Sequence, residues 1–201
     1  MPPTSIKRGE QVDIHDVELE DSYDVLISDV WDGILRSELS DIIGIPYLQK
    51  ATKNEASTIV EKSEGPIFPP HLRMVFPCVV GYEGDAHWVF FIVDNGAPHT
   101  YLSEQVCPIC GKSASPLTQL QATKALGLKE DYRIVRPVTI AGYRHPTRSS
   151  EQTHFPDINI LGTDFCSMNN LRFWPNYRTG KVTFYFGSNW EVCPYKHRGF
   201  V

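Results

Sequence analysis

The pattern of apolar and polar positions changes character near residue 71. Over residues 29–43 the apolar side chains are Val30, Trp31, Ile34, Leu35, Leu39, Ile42 and Ile43. Steps of three and four place them on one face and predict a helix. Gly44 and Pro46 end it, and Ser28 and Asp29 are candidate N-caps. Upstream, the alternating stretches Val17-Glu18-Leu19 and Val25-Leu26-Ile27 read as short strands. Residues 52–71 are rich in Lys, Glu, Ser, Thr and Pro and are punctuated by Gly65-Pro66 and Pro69-Pro70. That composition predicts an irregular connection.

Beyond His71 the chain reads as β structure. Residues 74–82 are rich in Val and Phe, Glu83-Gly84-Asp85 is a turn signal, and residues 87–93 form a second apolar run that ends in Asp94-Asn95-Gly96. Tyr101-Leu102 continues extended, and Cys107-Pro108-Ile109-Cys110-Gly111 interrupts it. Residues 117–126 have helical spacing closed by Gly127. An apolar stretch over 132–140 meets a turn at Ala141-Gly142, and Ile158 to Leu161 precede Gly162. Thr179-Gly180 joins the last hairpin, whose second strand is Lys181-Val182-Thr183-Phe184-Tyr185-Phe186. No internal repeat is present. The expected organisation is an N-terminal helical region and linker over 1–71, a β-domain over 72–190 and a tail over 191–201.

Composition narrows the class. Hydrophobic residues make up 41% of the 201, enough for a substantial core. The net charge of −5, with no accumulation of Lys and Arg, argues against nucleic-acid or anionic-membrane binding driven by bulk charge. No stretch approaches a membrane span in length. Met1-Pro2-Pro3-Thr4-Ser5-Ile6-Lys7-Arg8 leads into no apolar h-region, so no secretory signal is expected. Five cysteines at 78, 107, 110, 166 and 193 are odd in number and sparse, which fits reduced thiols and a cytoplasmic setting.

Candidate chemistry concentrates in two segments. In Val89-Phe90-Phe91-Ile92-Val93-Asp94-Asn95-Gly96-Ala97-Pro98 an apolar strand delivers a carboxylate to a turn. A buried strand fixes that carboxylate on a rigid support, and the glycine lets the backbone pass close to it. A strand running into Asp-x-Gly is common on its own, and Asp94 alone reads first as a turn former. In Asp157-Ile158-Asn159-Ile160-Leu161-Gly162-Thr163-Asp164-Phe165, large apolar residues followed by glycine fit a strand packed beneath the Asp94 turn, with a short helix after it.

Taken in this order, with Val138-Thr139-Ile140-Ala141-Gly142-Tyr143 between them and the closing hairpin after them, these segments resemble the retropepsin family of aspartic proteases over residues 74–187. They also resemble cellular retropepsin-like proteins of the DNA-damage-inducible type and retrotransposon proteases. The resemblance implies a mainly β, closed barrel-like acid protease fold, here with a small α/β N-terminal region. It implies a homodimer in which each protomer donates one aspartate, Asp94, to an endopeptidase dyad. Two carboxylates a few ångström apart cannot both ionise, so they share a proton and titrate as a pair. One takes a proton from water while the other hydrogen-bonds the scissile carbonyl of a peptide or protein substrate. That substrate lies as an added strand. The resemblance makes Asn95, Gly96 and Ala97 the support of Asp94, puts Ile140, Ala141 and Gly142 on a flap over the substrate, and implies no metal and no cofactor. One position departs from the family pattern. Asn95 stands where a Thr or Ser hydroxyl is usual, and the side-chain amide offers different reach and fixed polarity. A catalytically inactive retropepsin fold serving peptide binding or dimerisation is therefore the alternative.

Other features read more blandly. Cys107-x-x-Cys110 has zinc-knuckle spacing but lacks a second pair, and a structural zinc needs four ligands. The seven histidines do not cluster in sequence. The aromatic-rich end, Phe173, Trp174, Tyr177, Phe184, Tyr185, Phe186 and Trp190, reads as core and dimer face. Leu35, Leu39 and Gly44-Ile45-Pro46 are similar to the helix end of ubiquitin-like domains, against the plainer reading of a helix packed on the β-domain.

Overall fold

The computed structural model describes residues 29–103, 105–106, 136–149 and 157–187. The strands expected within 17–28, the Cys107–Cys110 loop, the helix expected over 117–126 and the tail over 191–201 lie outside the described residues.

Nine strands form one sheet among the described residues: β1 (Lys62–Phe68), β2 (Arg73–Tyr82), β3 (Asp85–Val93), β4 (Tyr101–Leu102), β5 (Arg136–Ile140), β6 (Tyr143–Ser149), β7 (Asn159–Leu161), β8 (Arg172–Asn176) and β9 (Lys181–Tyr185). The order β3-β7-β4-β6-β5-β2 closes on itself because β2 also pairs with β3. That ring is a six-stranded closed barrel, and β1, β9 and β8 continue from β2 as an antiparallel extension. The fold is mainly β, as the resemblance implied. Among the described residues four short helices accompany it: α1 (Asp32–Arg36), α2 (Glu38–Ile43), α3 (Lys53–Ser57) and α4 (Thr163–Met168). Among the described residues no helix is long and apolar enough to cross a membrane.

The β2–β3 hairpin is the backbone of the barrel, with an unbroken register from Val75↔Ile92 to Tyr82↔Asp85. Its two-residue turn puts both Glu83 (φ 46°) and Gly84 (φ 96°) in the left-handed region, the geometry that matches strand twist. Phe76, Phe90 and Phe91 of this hairpin are fully buried, as are Phe165 and Phe184 from elements packed with it in the same core. Phe76 meets Phe184 edge-on at 4.9 Å, which ties the extension to the barrel.

The helix expected over 29–43 is interrupted. Ser37 (φ −108°, ψ −92°) leaves helical geometry and its hydroxyl turns back to the Gly33 carbonyl at 2.6 Å, which separates α1 from α2. Gly44 closes α2 in the left-handed conformation as the sequence indicates. Asp29 is not a cap; its carboxylate pairs with Arg73 Nη2 at 3.0 Å. Ile34, Leu35 and Leu39 join the barrel's own hydrophobic core, so the helices pack on the β-domain. Tyr47 then enters the barrel wall. Its hydroxyl accepts from Asn159 Nδ2 at 2.7 Å, and Asn159 Oδ1 accepts from Ser103 N at 2.8 Å. Residues 48–51 cover the edge of β3 where β7 does not reach, through Leu48 N to Trp88 O and Ala51 N to Ala86 O.

The irregular linker expected over 52–71 is a correction. Thr52 and Glu55 form a reciprocal capping box that starts α3, and 62–68 is β1. The polar composition hid a strand whose first half is exposed and whose second half is buried. Gly65 permits the crossing of β1 over β2, because a Cβ there would lie 1.9 Å from the Val75 carbonyl oxygen.

Candidate active site

Asp94 follows β3 at the point where β3 and β7 run parallel, Phe91↔Asn159 to Val93↔Leu161. Its N–H donates to the Leu161 carbonyl at 3.1 Å, so the parallel pairing fixes the residue up to its own backbone. The carboxylate is half-buried, and its Oδ1 accepts the Gly96 N–H at 2.8 Å. A Cβ at Gly96 would stand 3.2 Å from that oxygen, closer than an ordinary contact. The Ala97 N–H closes the turn onto the Asp94 carbonyl at 3.2 Å. Asn95 is exposed at the tip and Ala97 is partly buried.

The turn is clamped from below. Gly162 lies so close to the chain at 97–99 that a Cβ would sit 2.2 Å from the His99 carbonyl oxygen. Thr163 N donates to Ala97 O at 2.9 Å. Thr100, fully buried, uses its hydroxyl twice: it accepts from Gly162 N at 3.1 Å and donates to Asp164 Oδ1 at 2.7 Å. The Thr100 N–H donates to Asp164 Oδ2 at 3.1 Å, and the Phe165 N–H donates to Oδ1 at 2.7 Å. His145 Nε2 stands 3.5 Å and His99 Nδ1 3.7 Å from Oδ2. Burial alone would raise the Asp164 pKa. The His145 ring, the Thr100 hydroxyl and amide and the Phe165 amide outweigh it and hold this carboxyl well below the usual range.

Asp94, Asn95, Gly96 and Ala97 are thus brought together on one turn, braced by Gly162. The hairpin at Ile140, Ala141 and Gly142 is not brought to them, which corrects its reading as a flap. Val80 of β2 pairs with both Ile140 and His87. His87 is seven residues before Asp94 on β3, which puts the hairpin roughly 20 Å away at about 3.3 Å per residue. Ile140 and Ala141 are buried. The tip packs against residues 58–60: Val60 N donates to Ala141 O at 3.1 Å, and a Cβ on Gly142 would lie 2.4 Å from Thr58 O. Its Ala-Gly turn suits two consecutive positive φ values, 51° and 85°, rather than mobility over a cleft.

Thr100, Asp164 and His145 were not singled out from the sequence. A buried threonine six residues after Asp94, and an aspartate two after Gly162, are weak signals until the two segments are seen to touch. No group of His, Cys, Asp or Glu suited to a metal ion occurs among the described residues.

The described residues thus combine a closed barrel with few helices, an aspartate on a Gly-containing turn at a strand end, and an apolar-apolar-Gly segment beneath it, the features expected from the retropepsin resemblance of the sequence. Among solved structures, the chain is similar to a retropepsin-like aspartic protease from Rickettsia conorii at 14% identity and TM-score 0.33, covering 64% of this chain and 95% of that one. It is also similar to the retroviral protease-like domain of Ddi1 from Leishmania major at 15% identity and TM-score 0.31, covering 59% and 98%. No family model and no curated protein matches the chain.

Proposed function

We propose that the chain is an aspartic endopeptidase that works as a homodimer, with Asp94 of each copy facing the same water. The observation that supports this reading best is the mounting of Asp94. A strand end, a glycine amide on its carboxylate and a clamped loop hold the acid rigidly at one end of the barrel while leaving it half-exposed. Among the described residues one copy holds one such acid, so in this reading a second copy completes the pair. Within the dyad, the ionised partner takes a proton from water as that water attacks the peptide carbonyl, and the protonated partner hydrogen-bonds the carbonyl oxygen. Gly96 and Ala97 support Asp94 in this reading, and Asn95 lies at the edge where substrate or the second copy arrives.

A second reading has its own observation. Asn95 is exposed and carries an amide where the family carries a hydroxyl. A dimer whose acids stand too far apart to share a proton would bind an extended peptide without cutting it. The deciding experiment is a peptide-library cleavage assay from acidic to neutral pH on the wild type and Asp94→Asn. Cleavage in the wild type, with a bell-shaped pH profile and loss in the variant, is expected. Cleavage that survives the substitution would sink the mechanism; a dimer that binds peptides and never cleaves them would favour the second reading.

A further inference from the structure

His145 stands on β6 opposite Val138 of β5 and is fully buried. Its ring meets Phe165 of α4 edge-on at 5.1 Å. An apolar ring would fill that space equally well, so packing does not explain the imidazole. Both ring nitrogens are buried, and among the described residues neither has a hydrogen-bond partner nearer than the Asp164 carboxylate, which lies 3.5 Å from Nε2.

A neutral imidazole must carry one N–H. On Nδ1 that hydrogen would be a buried donor with no acceptor among the described residues, whereas on Nε2 it points at a carboxylate. Asp164 is in turn the residue that holds Thr100 by both amide and hydroxyl, and Thr100 ends the loop that begins at Asp94. We propose that His145, as the Nε2–H tautomer, is a positioning residue for the Asp94 turn. It braces Asp164 from β6 while Thr100 engages the same carboxylate from the loop, so the carboxylate cannot rotate away and release the turn. The spacing of 3.5 Å is long for such a bond, and catalytic-site hydrogen bonds commonly tighten when the complete site assembles. Any effect on turnover rests on the protease reading above; the tautomer and the bracing are properties of the folded chain alone.

The test uses the full chain labelled with ¹⁵N. Long-range ¹H–¹⁵N spectra should show the His145 hydrogen on Nε2 and a bare Nδ1. Amide exchange at Thr100, referenced to buried amides of β2, should quicken about tenfold in His145→Phe, as expected for one lost brace. His145→Gln, whose amide nitrogen reaches the place of Nε2, should return the rate to within about threefold of wild type. In the cleavage assay His145→Phe should lower kcat about tenfold with KM nearly unchanged, because a small misplacement of the acid acts on the chemical step. An Nδ1–H tautomer, or Thr100 exchange unchanged in His145→Phe, overturns the proposal. If that variant does not fold, the wild-type tautomer and the Gln variant still decide. A wild type that cleaves nothing counts against the protease reading, while the spectra and the exchange rates judge the bracing separately.

Discussion

Replacing Thr100 by Val tests the clamp beneath Asp94 with the smallest change of shape. The two side chains are nearly isosteric, and the site is fully buried, so no water replaces the lost hydroxyl. Two interactions disappear. The bond to the ionised Asp164, 2.7 Å long, is of the charged class and is worth about 1.5–3 kcal/mol. The Gly162 N–H, now 3.1 Å from that hydroxyl, becomes a buried donor without an acceptor, at a cost of about 1–3 kcal/mol. The added methyl returns about 0.8 kcal/mol through burial. Asp164 keeps the Thr100 and Phe165 amides, which places the first term near its lower limit. The net expectation is a loss of about 2–3 kcal/mol. Urea unfolding at fixed protein concentration measures it, and the matching fall in Tm is roughly 5–10 °C. Thr100→Ser keeps the hydroxyl and should lose only about 1 kcal/mol for the missing methyl. If Thr100→Val unfolds within about 0.5 kcal/mol of wild type, in the range of an ordinary surface change, the hydroxyl does not hold the turn and the clamp argument is wrong.

Two further predictions concern a part-buried carboxyl and a buried phenol. Because the folded Asp164 carboxyl sits below its ordinary value of 3.8, its ionised contacts stabilise the fold fully above about pH 4 to 5 and fade as pH falls below that. Asp164→Asn should therefore be less stable at neutral pH yet lose less on acidification, and Tm profiles that run parallel from pH 6 to pH 3 would contradict this. Burial, only partly offset by the Ser103 and Asn159 hydrogen bonds, pushes Tyr47 up to about 12. Ultraviolet titration should show one tyrosine still un-ionised near pH 11 that is absent in Tyr47→Phe. That variant should cost about 1 kcal/mol, since Asn159 Nδ2 keeps the Phe90 carbonyl at 3.2 Å.

The β-domain was legible because its strands announce themselves twice, by apolar runs and by turn chemistry. Glu83-Gly84 and Thr179-Gly180 each bracket a hairpin, and the run into Asp94 ends where β3 ends. Strand β1 was not legible, because Lys62, Ser63, Glu64, Gly65 and Pro66 carry no periodicity; they are placed by pairing with β9 across more than a hundred residues of sequence. The start of α3 is legible in the sequence, since Thr52-x-x-Glu55 has the pattern of a capping box. The hairpin at Ala141–Gly142 shows the opposite failure. A small-residue turn between strands specifies a conformation but not a location, and only the shared partner Val80 reveals that it lies at the far end of β3. The brace at Thr100, Asp164 and His145 depends on contacts between three distant segments, none periodic and none carrying a motif of its own.

Asn95 decides between the two functional readings, and its exposure makes the decision clean. An exposed residue at a turn tip contributes little to the free chain, so Asn95→Thr should alter stability by less than about 0.5 kcal/mol. Under the homodimer reading, any change in turnover then arises where the two copies meet. In a working protease the Asn side chain is a tolerated variant, and the substitution should move kcat/KM by no more than about tenfold, the size of one adjusted hydrogen bond. In an inactive module the wild type is silent, and the threonine either creates cleavage or fails to. Creation would mean that the barrel, the clamp and the paired acids were already in place and lacked only a hydroxyl between copies. Silence in both chains, with a dimer confirmed by sedimentation, would mean that the acids do not approach. The rigid mounting of Asp94 would then serve the shape of a binding surface rather than the activation of water.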